Sequence, residues 1–139
     1  MRFSFENLPI LMAGIAIGPL WGCAVGAVAD LLGCVLVGYT VNPLVTLGAM
    51  SVGLLGGLVF WICRRLPRTV ALILAVAVAH TVGSLLLKTV GLAAFYDMPF
   101  YLLLLWRLLN YAVVGAAEGL LLHFILKNKA IQRLLEGIR

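Results

Sequence analysis

The sequence predicts an all-α integral membrane protein, a compact bundle of five transmembrane helices in one domain. Composition is the first reason. Of 139 residues, 64% are hydrophobic and 11% charged, and the mean hydropathy is +1.16. Soluble domains carry roughly a quarter charged residues, and a soluble core of this size needs a polar shell that this chain cannot supply. The second reason is that the apolar runs are continuous, whereas a membrane barrel needs strands that alternate apolar and polar residues. The third is that turn and charged residues divide the chain into stretches close to the ~20 residues a bilayer asks for.

The first expected span is 3–18 and the second is 20–36. One kinked span over this region would give four helices and a cytoplasmic N-terminus. Two short ones would give five helices and an external N-terminus. Gly18-Pro19 followed by Leu20-Trp21-Gly22 reads as a helix stop and restart, which favours two. Small residues recur here at every fourth position, Gly14, Gly18, Gly22 and Gly26, and the spacing continues to Asp30, Cys34 and Gly38. Such a row lets helix backbones touch inside a bilayer. An aspartate set into it is costly in lipid, so Asp30 is expected to tie helices together by hydrogen bonding.

Gly38 to Pro43 is a turn cluster. The third span is 44–63. Arg64-Arg65-Leu66-Pro67-Arg68 is a tight basic loop, and the fourth span is 69–90. Gly91 to Pro99 is expected to be a loop carrying Phe95, Tyr96 and Asp97. The fifth span is 100–126, followed by a basic tail, 127–139, suited to a short amphipathic helix on the membrane surface. Arg64, Arg65, Arg68, Lys127, Lys129, Arg133 and Arg139 hold most of the positive charge. Two spans separate loop from tail, so both belong on the cytoplasmic side. The two intervening turns then face outside. The net charge of +5 is thus a topology signal. It argues against nucleic-acid binding, because the basic residues split between two short membrane-flanking segments.

Several chemistries find no support. Cys23, Cys34 and Cys63 have no metal or redox spacing and read as small apolar fillers. No phosphate-binding Gly-x-x-x-x-Gly-Lys-Ser/Thr loop, Ser/His/Asp constellation or His-Glu-x-x-His motif is present. The chain is therefore expected not to be an enzyme, and to need no cofactor or metal.

The informative polar residues lie inside the spans. Arg107, Asn110, Tyr111, Val114 and Glu118 form one helical stripe, and His80, Ser84 and Lys88 form another. Two facing stripes at the same depth can enclose a polar pocket open to the outside, with the Gly91–Pro99 connection as its lid. Trp106, Phe95 and Tyr96 could stack on a flat ligand, and Asn42 and Arg2 sit on the other external segments. His80, Glu118 and His123 are expected to be structural.

Three stretches carry a family resemblance. Ser4-Phe5, Leu8-Pro9-Ile10, Ala13-Gly14, Gly18-Pro19, Gly22, Gly26 and Ala29-Asp30-Leu31-Leu32-Gly33 resemble the start of the folate-type substrate-binding (S) components of energy-coupling-factor (ECF) vitamin transporters. Gly38-Tyr39, Asn42-Pro43 and Thr46-Leu47-Gly48 resemble their external turn and fourth helix. Trp106-Arg107-Leu108-Leu109 resembles their last-helix arginine segment. The resemblance implies a six-helix fold with both ends in the cytoplasm, of which this sequence lacks the first helix and its Ala-x-x-x-Ala docking motif. It also implies a multi-pass protein of the bacterial plasma membrane. Such a subunit binds folate or a related pterin with high affinity, docks on a transmembrane coupling subunit served by two ATPase subunits, and topples to release its cargo inside. The residue types suit that ligand. Trp106, Tyr111, Phe95, Asn110 and Asn42 match a flat amide-bearing ring, while Arg107, Lys88 and Arg2 match its carboxylates. The alternatives are an S component for another vitamin, or a small membrane scaffold whose polar stripes are interhelical hydrogen bonds.

Overall fold

The computed structural model describes residues 7–38, 40–96 and 99–136. Every regular element among them is helical. The order is α1 (Asn7–Ala16), α2 (Pro19–Val37), α3 (Pro43–Ile62) with a 3-10 turn at Cys63–Arg65, α4 (Arg68–Ala79), a π-helical segment (His80–Leu87), α5 (Lys88–Tyr96), α6 (Phe100–Lys127) and α7 (Lys129–Glu136). Pro19–Val37, Pro43–Arg65, Arg68–Ala94 and Phe100–Lys127 are each long and apolar enough to cross a membrane. The described part of the first expected span is shorter. At 10 residues, α1 extends only ~15 Å, half of a hydrocarbon core of ~30 Å. It lies inside the bundle, with Ile10 and Leu11 fully buried.

The helix boundaries follow from local chemistry. Ile17 and Gly18 donate back to the Ala13 carbonyl at 3.0 and 3.2 Å, closing α1. Gly18 has φ +148°, a conformation open to glycine and strained for other residues. Pro19 then opens α2 at a position where its missing N–H costs nothing. At the far end Gly38, with φ +75°, closes α2 through its N–H to Cys34 O. Asn42 caps α3 by accepting from the Leu44 N–H at 3.0 Å.

The glycine row does what its spacing predicts at three of its four positions. A Cβ added to Gly22 would lie 2.6 Å from the Gly53 carbonyl oxygen, and Gly14 and Gly26 meet the backbones of Gly53 and Ala49 just as closely. Helices α1, α2 and α3 therefore touch main chain to main chain. Gly18 departs from the expectation. Nothing lies within 4 Å of its Cβ position, so it serves the turn and not the packing. The outer face of α2 is bare, with Leu20, Val35 and Leu36 at least three-quarters exposed. In a bilayer that face meets lipid tails as apolar as itself.

The segment beginning at Gly91 also differs from the expected loop. Helix runs on through α5 to Tyr96. Asn42 Nδ2 donates to the Gly91 carbonyl at 2.9 Å, and Gly91 lies against Leu44, so tertiary contacts hold a stretch that turn residues alone would release. Upstream, the chain from His80 widens to i→i−5 bonding, as in Lys88 N–H to Gly83 O. Gly83 packs there against Gly48 and Val52 of α3. In the tail, Asn128 caps α7 through the Ala130 N–H at 3.0 Å.

Candidate functional site

The two polar stripes do face each other, and they form two distinct clusters. The deeper one is a pair. His80 Nε2 and Glu118 Oε2 are 2.6 Å apart, with both side chains buried. The His80 ring stands 5.3 Å from that of Tyr111. His80 Nδ1 and Glu118 Oε1 are buried without a hydrogen-bond partner among the described residues.

The second cluster gathers at the opposite end from the basic loop. Arg107 Nη1 donates to the Ser84 carbonyl and to Thr89 Oγ1, both at 3.4 Å, and its guanidinium lies 5.7 Å from the centre of the Tyr111 ring. Asn7 Nδ2 donates to Ser84 Oγ at 3.4 Å, and Lys88 Nζ donates to Asn7 Oδ1 at 3.4 Å. Asn7, Ser84, Lys88 and Thr89 are all buried. Each of these contacts is at the long limit of hydrogen bonding. The tie between Thr46 Oγ1 and Asp30 Oδ2 is 2.7 Å, and that between Asn42 and Gly91 is 2.9 Å. The cluster is thus polar, with Arg107 half-buried at its edge, and loosely closed, while these two ties are short.

The structure therefore brings Arg107, Ser84 and Lys88 together, with Tyr111 beside them and Asn110 half-buried on the same helix. It separates the others. Trp106 is 57% exposed on the outer side of α6, because it precedes Arg107 by one residue and so points to a different face. Asn42 is engaged as a cap and as a tie to α5. Asp30 forms the interhelical bond to Thr46. Arg2 and the side chains of Phe95 and Tyr96 lie outside the described residues.

Thr89 belongs to the cluster and was not expected there, and Asn7, the last residue of the expected external segment 2–7, enters it as a buried member. Asn7 is the one amide in an otherwise apolar α1, a signal visible in the sequence. Thr89 lies five residues after Ser84. A search at α-helical spacing passes over that interval, but π-helical turns put it on one face.

A cleft of about 710 Å³ runs between α4 and α6, from Thr69 and His123 at the basic end to Leu85 and Leu108. His80 and Tyr111 form part of its wall; Arg107, Lys88 and Ser84 do not. The enclosed polar pocket expected between the stripes is thus divided into a polar cluster and an adjoining, mainly apolar cleft. No group of three or more potential metal ligands occurs among the described residues.

Comparison with known proteins agrees with this architecture. The family model for the ECF transporter, substrate-specific component, matches residues 1–134. No curated protein matches the chain, and no solved structure does. With the family match running over almost its whole length, this apolar helical chain belongs to the substrate-specific components of ECF transporters.

Proposed function

We infer that this subunit captures folate or a closely related pterin through the Arg107 cluster. The observation that carries this is the state of Arg107. Its described partners are a carbonyl oxygen, a hydroxyl and an aromatic ring, reached at 3.4 Å or more. A half-buried guanidinium held only by neutral oxygens keeps most of its donors for a carboxylate, which it can grip in bidentate fashion. Lys88, buried in the same cluster, adds a second positive charge. Folate offers two carboxylates at one end and a flat ring at the other, for which Tyr111 and Asn110 are suitable partners.

Family membership supports the rest of the scheme. The basic loop and tail face the cytoplasm of a bacterial cell. The Arg107 cluster then lies toward the outside, where vitamin is captured. The loaded subunit docks on the transmembrane coupling subunit, and two ATPase subunits supply the energy that turns it inward. A body that rotates in lipid should be rigid and carry few fixed charges in its middle. The glycine-packed helices and the paired His80 and Glu118 meet both requirements.

The test is titration of the detergent-purified protein with folate, riboflavin and thiamine, read by quenching of tryptophan fluorescence. Tight binding of folate alone supports the assignment. Selective binding of another vitamin keeps the transporter role and replaces the cargo. Failure to bind any of them contradicts the role of the cluster.

A further inference from the structure

We propose that the cleft between α4 and α6 is a lipid site, holding one acyl chain of an anionic phospholipid whose headgroup rests on the basic rim. The wall asks for hydrocarbon. It is built of residues such as Leu72, Val76, Ala112 and Gly119. Two of its polar side chains are already engaged: Thr81 Oγ1 donates to the Ala77 carbonyl at 2.7 Å, and His80 is paired with Glu118 at 2.6 Å.

The dimensions fit one chain. From Leu108 to His123 the cleft follows fifteen residues of α6, or ~22 Å at the rise of an α-helix. One leaflet contributes only ~15 Å, half of the ~30 Å hydrocarbon core, so an extended acyl chain lies along the cleft without reaching its end.

The charge selects the headgroup. Arg68 stands four residues before Leu72, and Lys127 four after His123, so each continues a stripe of residues that lines the cleft. Both are exposed, as is Lys129 just beyond. The two carboxylates with described side chains are elsewhere, Asp30 on Thr46 and Glu118 inside the bundle. The rim is therefore positive at the mouth of an apolar slot. Basic pockets of this kind between transmembrane helices select anionic headgroups.

The experiment is native mass spectrometry of the whole protein, equilibrated with equal amounts of phosphatidylglycerol and phosphatidylcholine bearing the same acyl chains. One retained phosphatidylglycerol per protein is expected, favoured several-fold over phosphatidylcholine. Glycerol phosphate should not displace it, because the headgroup alone leaves the slot unfilled. Arg68→Gln with Lys127→Gln, both at exposed positions, should erase the preference. Gly119→Leu should reduce retention of both lipids, since open space surrounds the Gly119 Cβ position. Ala116→Leu provides a second block, and unfolding midpoints check that each variant is folded. Equal retention of the two lipids, or retention unchanged in folded Gly119→Leu and Ala116→Leu, would overturn the proposal. So would stoichiometric displacement of the lipid by folate, which would make the slot part of the vitamin site.

Discussion

The α1–α2–α3 side of the molecule and the α4–α6 side solve helix packing in opposite ways. On the first, glycines remove the side chains and backbones meet directly, as at Gly22 and Gly53. On the second, the helices stand apart. On that side lie a buried His80–Glu118 pair at 2.6 Å, a mainly apolar cleft of about 710 Å³ and the two contacts of Arg107 at 3.4 Å. In lipid, close packing substitutes for the hydrophobic effect, so the first side supplies the rigid frame. The second keeps spare volume and spare hydrogen-bonding capacity, which a binding subunit needs.

Substitutions should separate the two sides in order of effect. Gly53→Leu places a side chain where the α2 backbone already is. Overpacking typically costs ~1–3 kcal/mol and sometimes more. With main chain on the opposing side there is no flexible neighbour to yield, so the upper end or beyond is expected, read as loss of monodisperse protein on size exclusion. Glu118→Ala on the other side leaves the His80 ring buried without its partner, and an unsatisfied buried polar group costs about 1–3 kcal/mol. A marked fall in the unfolding midpoint should result. The double change His80→Leu with Glu118→Leu should recover much of it, since an apolar replacement of a buried pair is often neutral. Asp30→Asn weakens one interhelical bond to Thr46 and should cost about 1 kcal/mol. Gly119→Ala adds a methyl group to open space and should leave the midpoint essentially unchanged. If Gly53→Leu were tolerated as well as Gly119→Ala, the contrast between the two sides would fail.

The two sides also differed in how much the sequence disclosed. The frame was legible because α-helical spacing governs it: Gly22 and Gly26 fall on one face of α2, with Asp30 following them toward Thr46, and Gly14 of α1 meets the same row of α3. Gly18 shared the spacing but not the role, since a positive φ in the turn takes precedence over register. On the α4–α6 side, the stripes through His80 and Arg107 correctly forecast facing helices. The details escaped because they depend on features that a four-residue spacing does not encode. The π-helical turns at His80–Leu87 bring Thr89 beside Ser84. The bond from Asn42 to Gly91 sustains helix where glycine suggested a loop. Asn7 joins the cluster only because α1 is folded into the bundle interior. Trp106 was placed near a ligand by residue type, while its exposed position on α6 shows how little type says about facing.

The most direct test of the Arg107 site is a folate titration of Arg107→Ala beside the unaltered protein and Gly119→Ala, each shown to be folded by its unfolding midpoint. Gly119→Ala should bind as the unaltered protein does. Arg107→Ala should lose about 2–5 kcal/mol of affinity, the scale for removing one member of a hydrogen-bonded charge pair that ligand binding buries. Folate binding of undiminished strength by folded Arg107→Ala would contradict this assignment and move the carboxylate site away from this cluster.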